Sequence, residues 1–124
     1  MIYILINASP IALAALTSVG IGGLWYRRAV PTGTLITLLL AQAWLAAILA
    51  GALILAPSKG GVWTMTLGSA FVIWIGFVLP VIVASYRLRA QPWRTVGVDA
   101  GYWLVTMLVQ AVLMRIIGLT PPPL

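Results

Sequence analysis

Four long apolar runs, separated by short polar gaps, constrain the fold of this chain more than any other feature of its sequence. They cover about residues 8–26, 34–56, 62–86 and 96–118. A helix crosses the roughly 30 Å hydrocarbon core of a bilayer with about 20 residues, and continuous runs do not fit the alternating pattern of a membrane strand. We therefore predict an all-α integral membrane protein, a single domain of residues 1–124 whose four transmembrane helices form an antiparallel bundle.

The charged residues are few, and nearly all of them are basic. They make up 6% of the chain, too little to cover a soluble fold, and seven Lys and Arg against one acid give a net charge of +6. The bases lie in the gaps between apolar runs, which indicates contact with membrane lipid rather than nucleic acid. The chain has no Cys and no His, which excludes thiolate chemistry and imidazole–metal sites. We expect no metal and no cofactor.

The distribution of the bases predicts the orientation of the bundle. The first and third gaps lie on one side of the membrane and carry Arg27, Arg28, Arg87, Arg89 and Arg94. The other side carries Lys59 and Arg115. Because cytoplasmic loops are enriched in Lys and Arg, we predict that the first and third gaps are cytoplasmic and that both termini lie outside. No base precedes the first apolar run, so we expect a retained helix rather than a cleaved signal.

Small residues recur four apart on the first two predicted helices. The first carries Ala14, Ser18 and Gly22, and the second carries Ala43, Ala47 and Gly51. Such stripes allow helix backbones to approach closely in a membrane. They would serve either an oligomer or partner interface, or contact between the first and second helices of one chain. We favour the second interpretation because antiparallel neighbours must pack against each other.

Asp99 is the only acid, and it lies about one turn inside the fourth predicted helix. Ionisable residues within a membrane often mark a proton or cation path. In that role Asp99 would act with Tyr102 or Trp103 and with an arginine, either Arg27 or Arg94. The alternative, which we weigh more heavily, is structural: an acid near a helix N-terminus meets the favourable end of the dipole and a nearby arginine.

Two glutamines are the deepest amides of the sequence. From the predicted segment ends, Gln42 lies nearer the cytoplasmic side and Gln110 nearer the outside, which argues against a direct pair and for a polar seam between helices. We also expect Arg115 to extend to the outer interface and Pro80 to kink the third helix.

Three stretches resemble one known family. The first helix carries NASPIALAALTSVGIGGLWY (7–26), the third carries WIGFVLP (74–80), and the fourth opens with PWRTVGVDAGYWLV (92–105). An Asn-led first helix ending in Gly-x-Leu-Trp-Tyr, with Asp-Ala-Gly-Tyr-Trp opening the last helix, resembles the bacterial membrane family catalogued as domain of unknown function 1761. The resemblance implies four membrane helices, the bacterial inner membrane, and no established activity.

The resemblance also implies which positions would form a shared site. The matching residues are Asn7, Gly23, Trp25, Tyr26, Asp99, Gly101, Tyr102 and Trp103. One departure is the stretch RRAVP (27–31), which stands where family members carry a longer loop rich in Phe, Gly and Trp. In the predicted topology Asn7 lies outside, so a single site would be a cytoplasmic cluster. That cluster comprises Trp25, Tyr26, Arg27, Arg94, Asp99, Tyr102 and Trp103.

No catalytic constellation is present in the sequence. Paired carboxylates, Ser-His or Cys-His sets and a phosphate loop are all missing, so we predict no enzymatic activity. The first functional hypothesis is an assembly module, either a homo-oligomer or an accessory subunit of a membrane complex. The second is a small-solute transporter or channel that works as a homo-oligomer with Asp99 in its path. A membrane enzyme or a lipid or quinone binder ranks third.

Overall fold

The computed structural model describes residues 2–27, 30–56 and 61–121, and within those ranges its regular elements are all helices. They are α1 (Ile2–Ile6), α2 (Ala8–Tyr26), α3 (Thr32–Leu55), α4 (Val62–Leu88) and α5 (Trp93–Ile117). The last four are long and apolar enough to cross a membrane, which confirms the predicted all-α membrane class and the four spans. Arg28 and Lys59, which enter the orientation prediction, lie outside the described residues.

The observed helix ends differ from the predicted ones by at most three residues, and prolines set two of the starts. Pro31 and Pro92 both have extended backbone angles, with ψ of 154°, immediately before α3 and α5. A proline fixes φ but leaves ψ free to be extended, so the helix begins at the next residue. This places the start of α5 at Trp93, one turn earlier than predicted.

Pro80 changes the helix type within α4 in addition to interrupting its hydrogen bonds. The segment Trp74–Val78 is a π-helical turn between Val62–Ile73 and Leu79–Leu88, and the Leu79 N–H donates to the Trp74 carbonyl. Proline has no N–H, and its ring crowds the carbonyl four residues earlier. Widening the preceding turn by one residue relieves that crowding.

The bundle is built around α5, which packs against α2, α3 and α4. Of the most apolar window of each helix, 39% is buried in α5 and only 11% in α4, so α4 lies at the periphery. Alanines form much of the interior: Ala14, Ala46, Ala50 and Ala111 are all fully buried. Small side chains permit the close helix approach on which membrane packing depends.

The two ends of the bundle are chemically different. We call the end formed by the C-termini of α2 and α4 and the N-termini of α3 and α5 the site end, and the opposite end the far end. The site end is the one that the charge distribution predicts to be cytoplasmic. It contains Asp99, whereas the far end contains Asn7 and Arg115.

Candidate functional site

A cavity of about 590 Å³ opens at the site end between α2, α3 and α5. Its polar and aromatic lining consists of Tyr26, Thr34, Gln42, Tyr86, Asp99, Tyr102 and Trp103. Its apolar wall includes Leu35 and Leu38 of α3. Small-molecule sites in proteins are mostly apolar clefts of about 300–1,000 Å³ with a few converging polar groups, and this cavity has that size and composition.

The Asp99 carboxylate is held by two tyrosines from two different helices. Tyr26 at the end of α2 donates from Oη to Oδ1 at 2.6 Å, and Tyr86 near the end of α4 donates to Oδ2 at 2.7 Å. Such lengths are typical of hydroxyl groups that donate to a charged carboxylate. Each oxygen receives one of these bonds, and a carboxylate has about four acceptor positions. Asp99 therefore retains acceptor capacity toward the cavity.

Tyr86 is the site residue that sequence reasoning missed. It lies near the end of the third apolar run, and no spacing in the sequence links it to Asp99. The structure also revises the predicted arginine partner, because the described hydrogen-bond donors to Asp99 are tyrosines and include neither Arg27 nor Arg94. Arg27 ends α2 in a left-handed conformation, with φ of 51°, and Arg94 is exposed in the first turn of α5.

Trp74 fixes the position of α4 beside Asp99. Its indole Nε1 donates to the carbonyl of Ala100 at 2.9 Å, across a contact where Ala100 is 4% exposed. Trp74 begins the π-turn that precedes Pro80. The π-helical turn before Pro80 and the hydrogen bond from Trp74 to α5 thus lie in the same part of α4.

Tyr102 connects the cavity to the interior of the bundle. Its hydroxyl donates to the Ser18 carbonyl at 3.1 Å and accepts from Gln42 Nε2 at 3.0 Å. Gly22 makes this possible, because a Cβ at that position would lie 3.0 Å from the tyrosine oxygen. The ring also packs edge-on against Tyr26, with the two centroids 5.3 Å apart.

The two glutamines form a direct pair, so the prediction that their different depths keep them from pairing was wrong. Gln110 Nε2 donates to Gln42 Oε1 at 3.1 Å and to Ser18 Oγ at 2.7 Å. Gln42 bonds both Tyr102 and Gln110, which are about 12 Å apart along α5 at 1.5 Å per residue. Side chains on a helix lean toward its N-terminus. Gln110 therefore reaches back toward the site end and meets Gln42.

Two buried polar atoms in and next to this pair have no described hydrogen-bond partner. They are Thr106 Oγ1 and Gln110 Oε1, on residues that are 0% and 1% exposed and one helical turn apart. Buried hydroxyl and carbonyl groups normally have a hydrogen-bond partner. Hydrogen bonding is thus less complete around Gln42 and Gln110 than in the cluster of Asp99 with its two tyrosines.

Four small residues of the predicted stripes, Ser18, Gly22, Ala47 and Gly51, lie against tyrosines of the same chain. Tyr3 in α1 donates from its hydroxyl to the Ala47 carbonyl at 3.0 Å, and a Cβ on Gly51 would lie 2.8 Å from that hydroxyl oxygen. Ser18 and Gly22 face Tyr102 in the same way. Trp25 lies apart from the cavity lining, its ring centroid 6.2 Å from that of Tyr102.

Arg115, at the far end, caps a helix instead of extending to the interface as predicted. Arg115 donates from Nε to Thr66 Oγ1 at 3.0 Å and from Nη2 to the Leu53 carbonyl at 3.3 Å. Leu53 lies in the last turn of α3, where carbonyls lack intrahelical donors and a positive charge is favourable. Asn7 likewise bonds the backbone of Thr120 rather than capping α2.

The fold and the site together define a small multi-pass membrane protein with a mostly apolar cavity between its helices and a carboxylate in the cavity wall. The chain belongs to the family described as "Protein of unknown function (DUF1761)", whose sequence model matches residues 27–115. No curated protein and no solved structure matches the chain. The matched range includes Asp99, Gly101, Tyr102 and Trp103 but begins after α2. The resemblance of α2 to the family therefore rests on the sequence of residues 7–26 alone.

Proposed function

We propose that this protein binds a small solute in the cavity at the site end and acts as the solute-binding unit of a membrane carrier. The observation that carries the proposal is the 590 Å³ cavity with the Asp99 carboxylate in its wall. An ionisable group at membrane depth is costly and commonly marks the path of a solute or ion. The acceptor capacity that Asp99 keeps beyond its two tyrosine bonds gives such a solute a polar contact.

The contacts of the small residues make a purely assembling role the weaker proposal. Of the small residues that suggested an interface, Ser18 and Gly22 lie against Tyr102 of the same chain. Ala47 and Gly51 lie against Tyr3. An assembly role would then depend on the exposed surface of α4, which lipid can cover equally well. Carriage across the membrane would need a path past the closed far half, which a homo-oligomer or another membrane subunit could supply.

The same proposal includes a location and an orientation. We place the protein in the bacterial inner membrane with the site end facing the cytoplasm and both termini outside. Arg27, Arg87, Arg89 and Arg94 support this orientation, because all four are exposed at the site end and bases are enriched in cytoplasmic loops. The bound solute would then exchange with the cytoplasm.

Two glycines of α2 provide a matched test of solute binding. A Cβ at Gly23 or at Gly20 would meet nothing within 4 Å, but only Gly23 lines the cavity. Gly23→Leu should fill part of the cavity, and Gly20→Leu should leave it open, while both variants fold. A panel of cationic, neutral and anionic solutes of drug-like size is screened by thermal shift in detergent. At least one should stabilise the wild type and Gly20→Leu but not Gly23→Leu; a panel with no such solute overturns the proposal.

A further inference from the structure

We infer that the solute is a monovalent organic cation with an apolar body, bound with its charge against Asp99. The inference rests on the proposed function and names the ligand class of that site. It is argued from the charge of the cavity, the arrangement of its aromatic rings and the nature of its remaining wall.

The charge of the cavity wall is one-sided. Among the described lining residues Asp99 is the one with a formal charge, and the other polar groups are hydroxyls and an amide. A carboxylate in a low-dielectric site is costly unless it is paired. The tyrosines donate hydrogen bonds but carry no positive charge, so a cationic ligand would supply the missing counter-charge. An anionic ligand would instead bring a like charge to Asp99.

The cavity wall carries the aromatic residue types that form sites for alkylated ammonium groups. Tyr26, Tyr86, Tyr102 and Trp103 all line the cavity around Asp99. The Tyr102 ring packs edge-on against both Tyr26 and Trp103, with centroid separations of 5.3 and 5.1 Å. Rings that surround a carboxylate attract a cation through their negative faces, and this is how proteins bind quaternary ammonium groups.

The size and the apolar wall of the cavity exclude a bare metal ion as its natural occupant. Hard cations require about six oxygen ligands at 2–2.6 Å, whereas most of this wall is hydrocarbon and the volume is about 590 Å³. Leu35, Leu38 and Val19 would contact carbon atoms of a ligand. A ligand that satisfies both parts of the wall carries one positive charge and a substantial apolar body.

Among the described residues, no arginine donates a hydrogen bond to Asp99. Arg87 lies over the Trp93 ring and donates to the Gln91 carbonyl. Arg89 lies over the outer part of the cluster, 5.1 Å from the Tyr86 ring centroid, and donates to the Ser85 carbonyl. Both are exposed, so water and salt screen their charge from an entering cation.

Two ions of the same shape and opposite charge test the inference on the unmodified protein. Purified protein in mild detergent is dialysed to equilibrium against tetraphenylphosphonium or tetraphenylborate, and binding is corrected for uptake by empty micelles. The cation should bind to the wild type and to Gly20→Leu but not to Gly23→Leu. The anion should show no binding that depends on Gly23. Asp99→Asn should weaken binding of the cation about tenfold or more, because the charged partner is lost.

The outcomes separate the ligand class from the proposed function. Binding of tetraphenylborate that Gly23→Leu abolishes, without binding of the cation, would overturn the cationic class and leave a solute-binding cavity in place. Equal binding of both ions, or undiminished cation binding in Asp99→Asn, would likewise overturn it. Absence of Gly23-dependent binding for every member of the solute panel would overturn the proposed function itself. If Asp99→Asn does not fold, the comparison of the two ions on the wild type decides the matter.

Discussion

The contact between Gly22 and Tyr102 predicts that two substitutions, each unfavourable or neutral alone, compensate each other. A Cβ at Gly22 would lie 3.0 Å from Tyr102 Oη but 3.5 Å from its Cζ. Gly22→Ala therefore crowds the hydroxyl in the wild type, and in the Tyr102→Phe background it makes only ordinary contact with the ring. The sign of its effect on stability should reverse between the two backgrounds.

The magnitudes follow from the bonds that the hydroxyl makes. Tyr102 is 7% exposed and bonds Ser18 and Gln42. Interhelical hydrogen bonds in membranes average about 0.6 kcal/mol with a maximum of about 1.7, so Tyr102→Phe should cost about 1–3 kcal/mol. Replacing a helical Gly by Ala gains about 0.5–1 kcal/mol where there is room. Gly22→Ala should show that gain only in the Tyr102→Phe background, so the coupling energy should be at least about 0.5–1 kcal/mol.

The assay is unfolding by sodium dodecyl sulfate in mixed micelles, followed by the loss of helical circular dichroism. Gly20→Ala is the matched control, because a Cβ there meets nothing within 4 Å, and its effect should be the same in both backgrounds. Equal effects of Gly22→Ala in the two backgrounds would refute the packing of Tyr102 against α2.

Four further predictions concern the seam, the proline turn and the topology. A double-mutant cycle with Gln42→Leu and Gln110→Leu should give a coupling of about 0.6 kcal/mol and at most about 1.7; a zero coupling would contradict their direct bond. Thr106→Val should be neutral or stabilising by up to about 1 kcal/mol, because the hydroxyl has no described partner; a loss above 1 kcal/mol would indicate one. Trp74→Phe should cost about 0.5–1.5 kcal/mol in the same unfolding assay, and an unchanged midpoint would contradict its bond to α5. A reporter enzyme that is active only outside the cytoplasm should be active when fused after Leu124, and one that is active only inside should not. The opposite result would show that the predicted orientation is inverted.

The spans and part of the site could be predicted from the sequence because both depend on position along the chain. Apolar length determines where a helix can cross the membrane. Short gaps then bring the end of the first span and the start of the fourth to the same side. That reasoning placed Tyr26, Asp99, Tyr102 and Trp103 at one end of the bundle, and the structure finds all four around one cavity.

The partners of these residues could not be predicted, because they depend on helix rotation and stagger. A helix that is apolar on every side gives no periodic signal to show which face points inward. Nothing therefore favoured Tyr86 over an arginine as the partner of Asp99. The error over Gln42 and Gln110 has the same origin, because depth was counted from segment ends as if the helices were level. The side chains of α5 lean toward the site end, which brings the Gln110 amide back to Gln42.

The two hydrogen-bonded clusters differ in exposure, and under the proposed function this gives them different roles. The Asp99 cluster opens to the cavity, whereas Ser18, Gln42 and Gln110 are at most 1% exposed. A solute bound at Asp99 can leave toward the site end without disturbing the interior. To leave toward the far end it must pass the point where Gln110 bonds Ser18 and Gln42. If this chain alone carried the solute, these bonds would therefore have to break and re-form. Their strength should then govern the rate of transport, whereas the affinity for the solute depends on Asp99 and the surrounding rings.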